Sequence, residues 1–477
     1  MDKVDVCNFF YNCNRGNRDV ERKLYFLLWG VKGRERQYLS TLTVLYRLIG
    51  QTRDMVNGKG ERDLAYMQIY VWYLFHPELA IHSFLHFFYG HEHPWGSWKD
   101  INYFCDYVYR KTGNQYHPLI LEACGILINQ LKYDEMAKYP SLAAKWCPRE
   151  KKKFDWLYNI IAFYYYPRAL PHTQKSFNWT KMSLRKTIAT LNRRLKTVEI
   201  DMCARNWDGI NYRNVPSIAM TRYHQCFEKR APKKTHQYKQ AVLSKQTTIN
   251  GRRCSMYDLI AAALKEDSEM IDLQWEEYTR QIRPLNCIPI IDMSSLVAMD
   301  PVRLYTAVGL GIIVSEKHKG DFKNRVMVFS GLPEWVSLEG LTLKAKIQKL
   351  LRKVGGESNA TAPLELIARA MKILNIAKAE IEKLQLLIVS HNIQYSEIRN
   401  IFGDMPKLAF WNMDKNNVVV CDVDQEHISV LAGYNPILLN TLFGNHRKER
   451  SVTPWRRLLK MVERYDVLDK KIRDYFS

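Results

Sequence analysis

Through the first 280 residues, apolar and aromatic side chains recur at three- and four-residue spacing. The runs "RKLYFLLWGV", "QYLSTLTVLYRLIGQ", "RDLAYMQIYVWYLFH" and "DWLYNIIAFYYY" each gather them on one side of a helical wheel, which predicts amphipathic helices. Polar breaks such as "VNGKGER", "HEHPWGSWKD" and "KTGNQYHP" have the length that joins antiparallel helices. Past "EEYTRQIRPLN" the grammar changes. "CIPIID", "RVMVFS", "LQLLIVS", "KLAFWNM" and "HISVLAG" are short β-type runs. They alternate with the helical stretches "DPVRLYTAVGLGIIVSEK", "LTLKAKIQKLLRKV" and "APLELIARAMKILNIA", and "TPWRRLLKMVERY" closes the series as a last helix. Such alternation predicts a mostly parallel sheet covered on both faces. The expected fold is multidomain α + α/β, with an all-α helical module over 1–280 and an α/β module over 281–477. No fixed-period repeat shows in the first module, so a stacked helical-repeat arrangement of the HEAT type rests there on the number of helices.

A chain of 477 residues is too long for one core, and its 47% apolar content, spread throughout, marks it as folded rather than disordered. No apolar run reaches the roughly 18 residues of a membrane span. The start, "MDKVDVCNFFYNCNRGNRDVERK", lacks the apolar stretch of a secretory signal. None of the ten cysteines forms a C-x-x-C pair, and most sit in apolar surroundings. Free buried thiols in a cytoplasmic protein, with no membrane contact, are the expectation.

Charge sharpens the picture. The net of +22 is concentrated: residues 145–254 hold 24 Lys and Arg against 6 Asp and Glu, whereas 281–477 hold 28 against 21. A segment that basic suits a polyanionic partner, RNA or DNA, although a solvated basic surface has the same composition. The candidate contacts are Arg149, Lys151, Lys152 and Lys153 in "PREKKKF", and Arg185, Lys186, Arg193, Arg194 and Lys196 in "LRKTIATLNRRLK". Arg222 follows, then Lys229, Arg230, Lys233 and Lys234 in "EKRAPKKTHQYK". Such clusters hold phosphates with little reading of sequence. Trp146, Trp156, Trp207 and Tyr164, Tyr165 and Tyr166 would stack on bases where exposed, although aromatics at helical spacing usually belong to the core.

Other stretches invite chemistry and fall short of it. "NGKGERD" lacks phosphate-loop spacing and a preceding strand, so Gly58 and Gly60 are expected to form a tight turn. "HSFLHFFYGHEH" carries His82, His86, His91 and His93 without cysteine, and its aromatic context points to helix packing rather than zinc. No nucleophile elbow, H-E-x-x-H or kinase signature is present, so neither enzymatic activity nor a cofactor is expected.

One loop does look like a site. In "CIPIIDMSSLVAMD" a strand ends in an Asp followed by two serines, and carboxylate and hydroxyl oxygens there suit a hard divalent cation. The arrangement resembles the metal-dependent adhesion site of von Willebrand A domains. By that resemblance Asp292 and Ser294 take the first two ligand positions, Leu296 the third, Ser358 in "GGESNA" the fourth and His391 the fifth. Leu296 has no donor atom and His391 stands where a second carboxylate belongs. A degenerate site without metal is expected. Asp292 is then free to accept backbone N–H groups, Ser294 to cap the next helix, and His391 to pair with Asp292.

The wider motifs extend this resemblance. "TRDMVNGKGERDLAYM", "GSWKDIN", "SLAAKWCPREKKKFD", "LRKTIATLNRRL" and "RNWDGINYRNVPSIAMTRYHQCF" precede "DMSSLVAM", "GLGIIVSE", "GGESNA", "LAFWNM" and "LAGYNPILL". In this order they resemble a family of large-DNA-virus, plant and fungal proteins that joins a TROVE-like helical module to a von Willebrand A-like one, related in architecture to the Ro autoantigen. The resemblance implies helical repeats in a ring or arc that binds RNA, with the A-like module as scaffold. It carries no enzymatic activity with it. Two functions follow as expectations: an RNA-binding ribonucleoprotein component, or a structural protein of a giant-virus particle that docks a partner, or itself, through the A-like module.

Overall fold

The computed structural model describes residues 1–88, 95–167, 173–294, 300–356, 362–389, 401, 406–413, 422, 424–442 and 453–477. It is α + α/β, as the pattern of elements predicts. Backbone contacts divide the chain into two compact units, Arg62–Asn211 and the combination of Met1–Glu61 with Tyr212–Ser477. The change of grammar near residue 280 marks where strands begin, at Cys287, whereas compactness divides the chain elsewhere.

Among the described residues the larger unit is built on six strands: β1 (Cys287–Asp292), β2 (Arg325–Ser330), β3 (Leu332–Ser337), β4 (Gln385–Val389), β5 (Lys407–Asn412) and β6 (Ile428–Ala432). Their order is β3-β2-β1-β4-β5-β6, parallel throughout except for the antiparallel edge strand β3. Every residue of β1, β4 and β6 is buried, the mark of strands covered on both faces. The strand order reverses between β1 and β4, which pair from Cys287↔Gln385 to Ile291↔Val389. The carboxyl end of β1, at Asp292, therefore stands at the topological switch point where ligands of such sheets gather.

The helix Pro301–Lys317 is buried almost all round because two glycines open two of its sides. A Cβ on Gly309 would fall 2.3 Å from the Met256 sulfur, and one on Gly311 would meet Ile291 and Val326 at 3.3–3.4 Å. The N-terminal segment belongs to this unit through polar contacts that no periodicity announces. Asn412 at the end of β5 donates to the Tyr11 carbonyl (2.9 Å), and Asn435 donates to those of Met55 (3.0 Å) and Gly58 (2.9 Å). Tyr465 donates to Asp54 at 3.0 Å.

"NGKGERD" is a tight turn. Gly58 lies so close to the preceding helix that a Cβ would sit 2.0 Å from the Gln51 carbonyl, and Gly60 has φ +72°. Lys59 points inward, 2% exposed, and donates to the carbonyls of Phe10 (2.6 Å) and Cys13 (2.9 Å). It is therefore not presented to a phosphate.

The regular elements of the smaller unit are all helices among the described residues. Arg62–Phe75 packs on Pro77–Leu85, Lys99–Thr112 on Pro118–Met136, and Asp155–Tyr165 on Gln174–Leu195. Its core is rich in aromatics, with Phe84 stacked on Phe104 at 4.1 Å. Asp100 of "GSWKD" is buried and acts as an acceptor hub, taking the N–H (2.7 Å) and hydroxyl (3.0 Å) of Ser97 and the hydroxyl of Tyr66.

Candidate nucleic-acid interface

The helix Gln174–Leu195 begins at a capping box, in which Thr173 accepts from the Ser176 N–H and Ser176 from the Thr173 N–H. It buries a ridge of Thr180, Leu184, Ile188 and Leu191. Helical spacing places Lys175, Trp179, Met182, Lys186 and Arg193 opposite that ridge, and all five are exposed. Among the described residues Lys175, Lys186 and Arg193 have no acidic partner. The flanks differ. Lys181 and Arg185 both reach Glu150, at 3.8 and 3.2 Å. Arg194 donates to the carbonyls of Asp134 (3.1 Å) and Glu135 (3.2 Å) and to that of Ala137, closing the end of the helix Pro118–Met136.

The other expected contacts divide in the same way. Lys151, Lys152 and Lys196 are exposed, and their ammonium groups have no partner among the described residues. Lys153 lies 3.8 Å from Asp106 and within 4.9 Å of the Phe154 ring, and Arg149 leans toward the Ala144 carbonyl at 3.5 Å. Those residues belong to the smaller unit; Arg222, Lys229, Arg230, Lys233 and Lys234 belong to the larger. There Lys229, Arg230 and Lys233 are exposed and without partners among the described residues, while Lys234 covers the Tyr212 ring at 5.5 Å. Arg222 lines a cleft of about 690 Å³ between the helices Ser217–Arg230 and Met256–Lys265. Within it, both carboxylate oxygens of Glu266 are held by His224 and Gln225.

Among the aromatics singled out by sequence, Tyr164 is exposed and Tyr165 is buried. Trp156 packs against Tyr109 at 4.9 Å. The aromatic that sequence reasoning missed is Trp179, 47% exposed in the middle of the cationic stripe. The available signal was its register, one turn after Lys175 and seven residues before Lys186.

At the switch point Asp292 and Ser294 are the described members of the expected cation site. Asp292 is buried and accepts the Ser294 N–H at 2.9 Å. Gly355, opening "GGESNA", donates to the Met293 carbonyl at 3.0 Å, and Gly356 (φ +74°) leaves no room for a Cβ beside the Ser330 carbonyl. Ser294 does not cap the next helix: Asp300 does, accepting from Val302 at 3.0 Å, because it stands directly before the first turn. The buried Ser294 hydroxyl has no hydrogen-bond partner among the described residues. Leu296, Ser358 and His391 lie outside the described residues, as do His91 and His93. The described members of the expected site, Asp292 and Ser294, offer one carboxylate and one hydroxyl to a hard cation.

The buried thiols are not poised as nucleophiles. Burial pushes Cys147 up to about 12, and desolvation raises Cys254 to about 11. At the His82–His86 pair the Nε2 atoms lie 3.4 Å apart; burial, then the neighbouring His82, lowers His86 to about 4. No helix among the described residues is long and apolar enough to cross a membrane.

Comparison with known proteins places residues 127–286 in a match to a domain of unknown function, DUF2828. That span contains all the basic clusters. The chain is 22% identical over 364 residues to the uncharacterized protein L728 of Acanthamoeba polyphaga mimivirus, covering 68% of this chain and 61% of the relative's length. Among solved structures it is similar to the Deinococcus radiodurans RO (RSR) protein, with a TM-score of 0.39 and 10% identity over 97% of this chain and all of that one.

Proposed function

We propose that this chain is a non-enzymatic RNA-binding protein in which basic helical elements grip phosphates and an ion-free A-like sheet serves as scaffold. The observation that carries this is the cationic stripe Lys175, Lys186 and Arg193, without acidic partners among the described residues and continued by Lys151, Lys152 and Lys196 in the same unit. Basic side chains without acidic partners stay available to phosphates, whereas those bound to Glu150 or Asp106 are already neutralised. The motif resemblance to TROVE-like plus A-like proteins points to the same class of partner.

The test is to purify the protein at low and at high salt and measure the nucleic acid that accompanies it. Retention at low salt and release at high salt is expected, together with loss of retention in Lys151→Glu/Lys152→Glu/Lys186→Glu/Arg193→Glu. Full retention by that quadruple variant contradicts the reading.

A further inference from the structure

We propose that the solvent-facing stripe of the helix Gln174–Leu195, with the cleft beside its first turns, is a base-stacking subsite that selects single-stranded over double-stranded nucleic acid. The inference deepens the RNA-binding reading and rests on it. A surface for phosphates alone needs cations; this one interleaves them with apolar surface. Trp179 is 47% exposed and Met182 40%, on the same line of the helix as Lys175, Lys186 and Arg193. On the adjoining helix, Phe163 (39%) and Tyr164 (44%) are exposed as well. Buried area does not account for them; a ligand with flat faces and regularly spaced negative charge does.

The platform is fixed in place. Tyr166 meets Trp179 edge-on with ring centroids 5.6 Å apart, and the Tyr166 hydroxyl is tied to that of Thr187 at 2.8 Å. Beside it lies a cleft of about 240 Å³ with the rings of Phe163, Tyr166 and Phe177 in its lining. That is smaller than the usual site for a drug-sized molecule and on the scale of a single ring system. Its hydroxyl groups are already committed. Thr173 and Ser176 close the capping box, and Thr180 donates to the Phe177 carbonyl at 2.8 Å. The Ser176 and Thr180 hydroxyl protons are engaged and the Gln174 side-chain amide N–H donates to Asn178 at 3.1 Å, so the subsite offers mainly ring faces and accepts any unpaired base. From Lys175 to Arg193 the helix rises about 27 Å, the span of roughly four extended nucleotides, at the lower end of known single-strand site sizes. A duplex presents the same phosphates but keeps its bases stacked on each other.

The experiment measures fluorescence anisotropy with labelled RNA of equal phosphate number, one oligonucleotide unstructured and one a perfect duplex, against the full chain. The expected result is tighter binding of the single strand. Trp179→Ala should lose about tenfold in single-strand affinity, with duplex affinity and salt slope unchanged and an unaltered circular-dichroism melting curve. Trp179→Phe should recover most of the loss. Salt-dependent binding with Trp179→Ala equal to the parent overturns the subsite while leaving the RNA-binding reading intact. Equal losses for single strand and duplex overturn it too. Absence of binding by the parent to either RNA overturns the reading and the subsite together.

Discussion

Arg193 and Arg194 are consecutive residues on one helix with opposite fates. Arg193 is exposed and has no partner among the described residues, while Arg194 turns back to donate to three carbonyls at the end of the helix Pro118–Met136. One residue of helical register, about 100° of rotation, separates a free cation from a helix cap.

That contrast separates binding from stability. Arg193→Ala should weaken RNA binding several-fold, with a melting temperature within error of the parent. Arg194→Ala should destabilise the helical unit by about 1 kcal/mol, because those hydrogen bonds are partly solvent-exposed, with a smaller change in affinity. Filter binding and chemical denaturation on the two variants check it. The opposite assignment would show that the cap, not the stripe, holds the RNA.

Lys59 gives a pH signature. Burial lowers its ammonium from the usual value to about 8, against smaller opposing effects of Cys13 and Glu61. In the unfolded chain the amine stays protonated to higher pH, so above pH 8 the unfolded state binds more protons and stability rises with pH. The buried thiols act in the opposite sense over the same interval, since burial raises Cys147 and Cys254 while unfolded thiols ionise near pH 9. The lysine is therefore read as a difference: in urea unfolding the stability of the parent relative to Lys59→Met should rise by about 1 kcal/mol between pH 7 and 9. A difference that stays flat or falls over that interval contradicts the assignment.

The ion-free reading of the switch point is tested by metal. Adding magnesium or manganese to millimolar levels should leave the melting temperature unchanged, since a ligand stabilises the fold only as far as it binds the native state. A rise that Asp292→Asn abolishes would show that Ser294 and its neighbours still hold an ion.

Much of the fold was legible because its elements are strongly patterned. "CIPIID", "RVMVFS", "LQLLIVS", "KLAFWNM" and "HISVLAG" contain β1, β2, β4, β5 and β6. The edge strand β3, "LPEWVS", was not foreseen, since its Pro and Glu weaken the strand pattern and only Gly331, at φ +95°, separates it from β2. The attachment of Met1–Glu61 to the sheet was also hidden. It depends on asparagines such as Asn412 and Asn435 donating to carbonyls nearly 400 residues away, which local periodicity does not encode. For the interface, composition located the basic segment, but pairing with Glu150 and Asp106 decided which cations remain free. Trp179 was missed because helical spacing alone does not tell a core aromatic from an exposed one.

The most direct measurement is the salt dependence of RNA affinity for the parent and for the Lys151→Glu/Lys152→Glu/Lys186→Glu/Arg193→Glu variant. Single-strand binding should weaken steeply as salt rises, and the variant's logarithmic slope should be shallower by about 3, the change expected from four lost phosphate contacts. Equal slopes for the two proteins would mean that the cationic stripe does not hold the RNA.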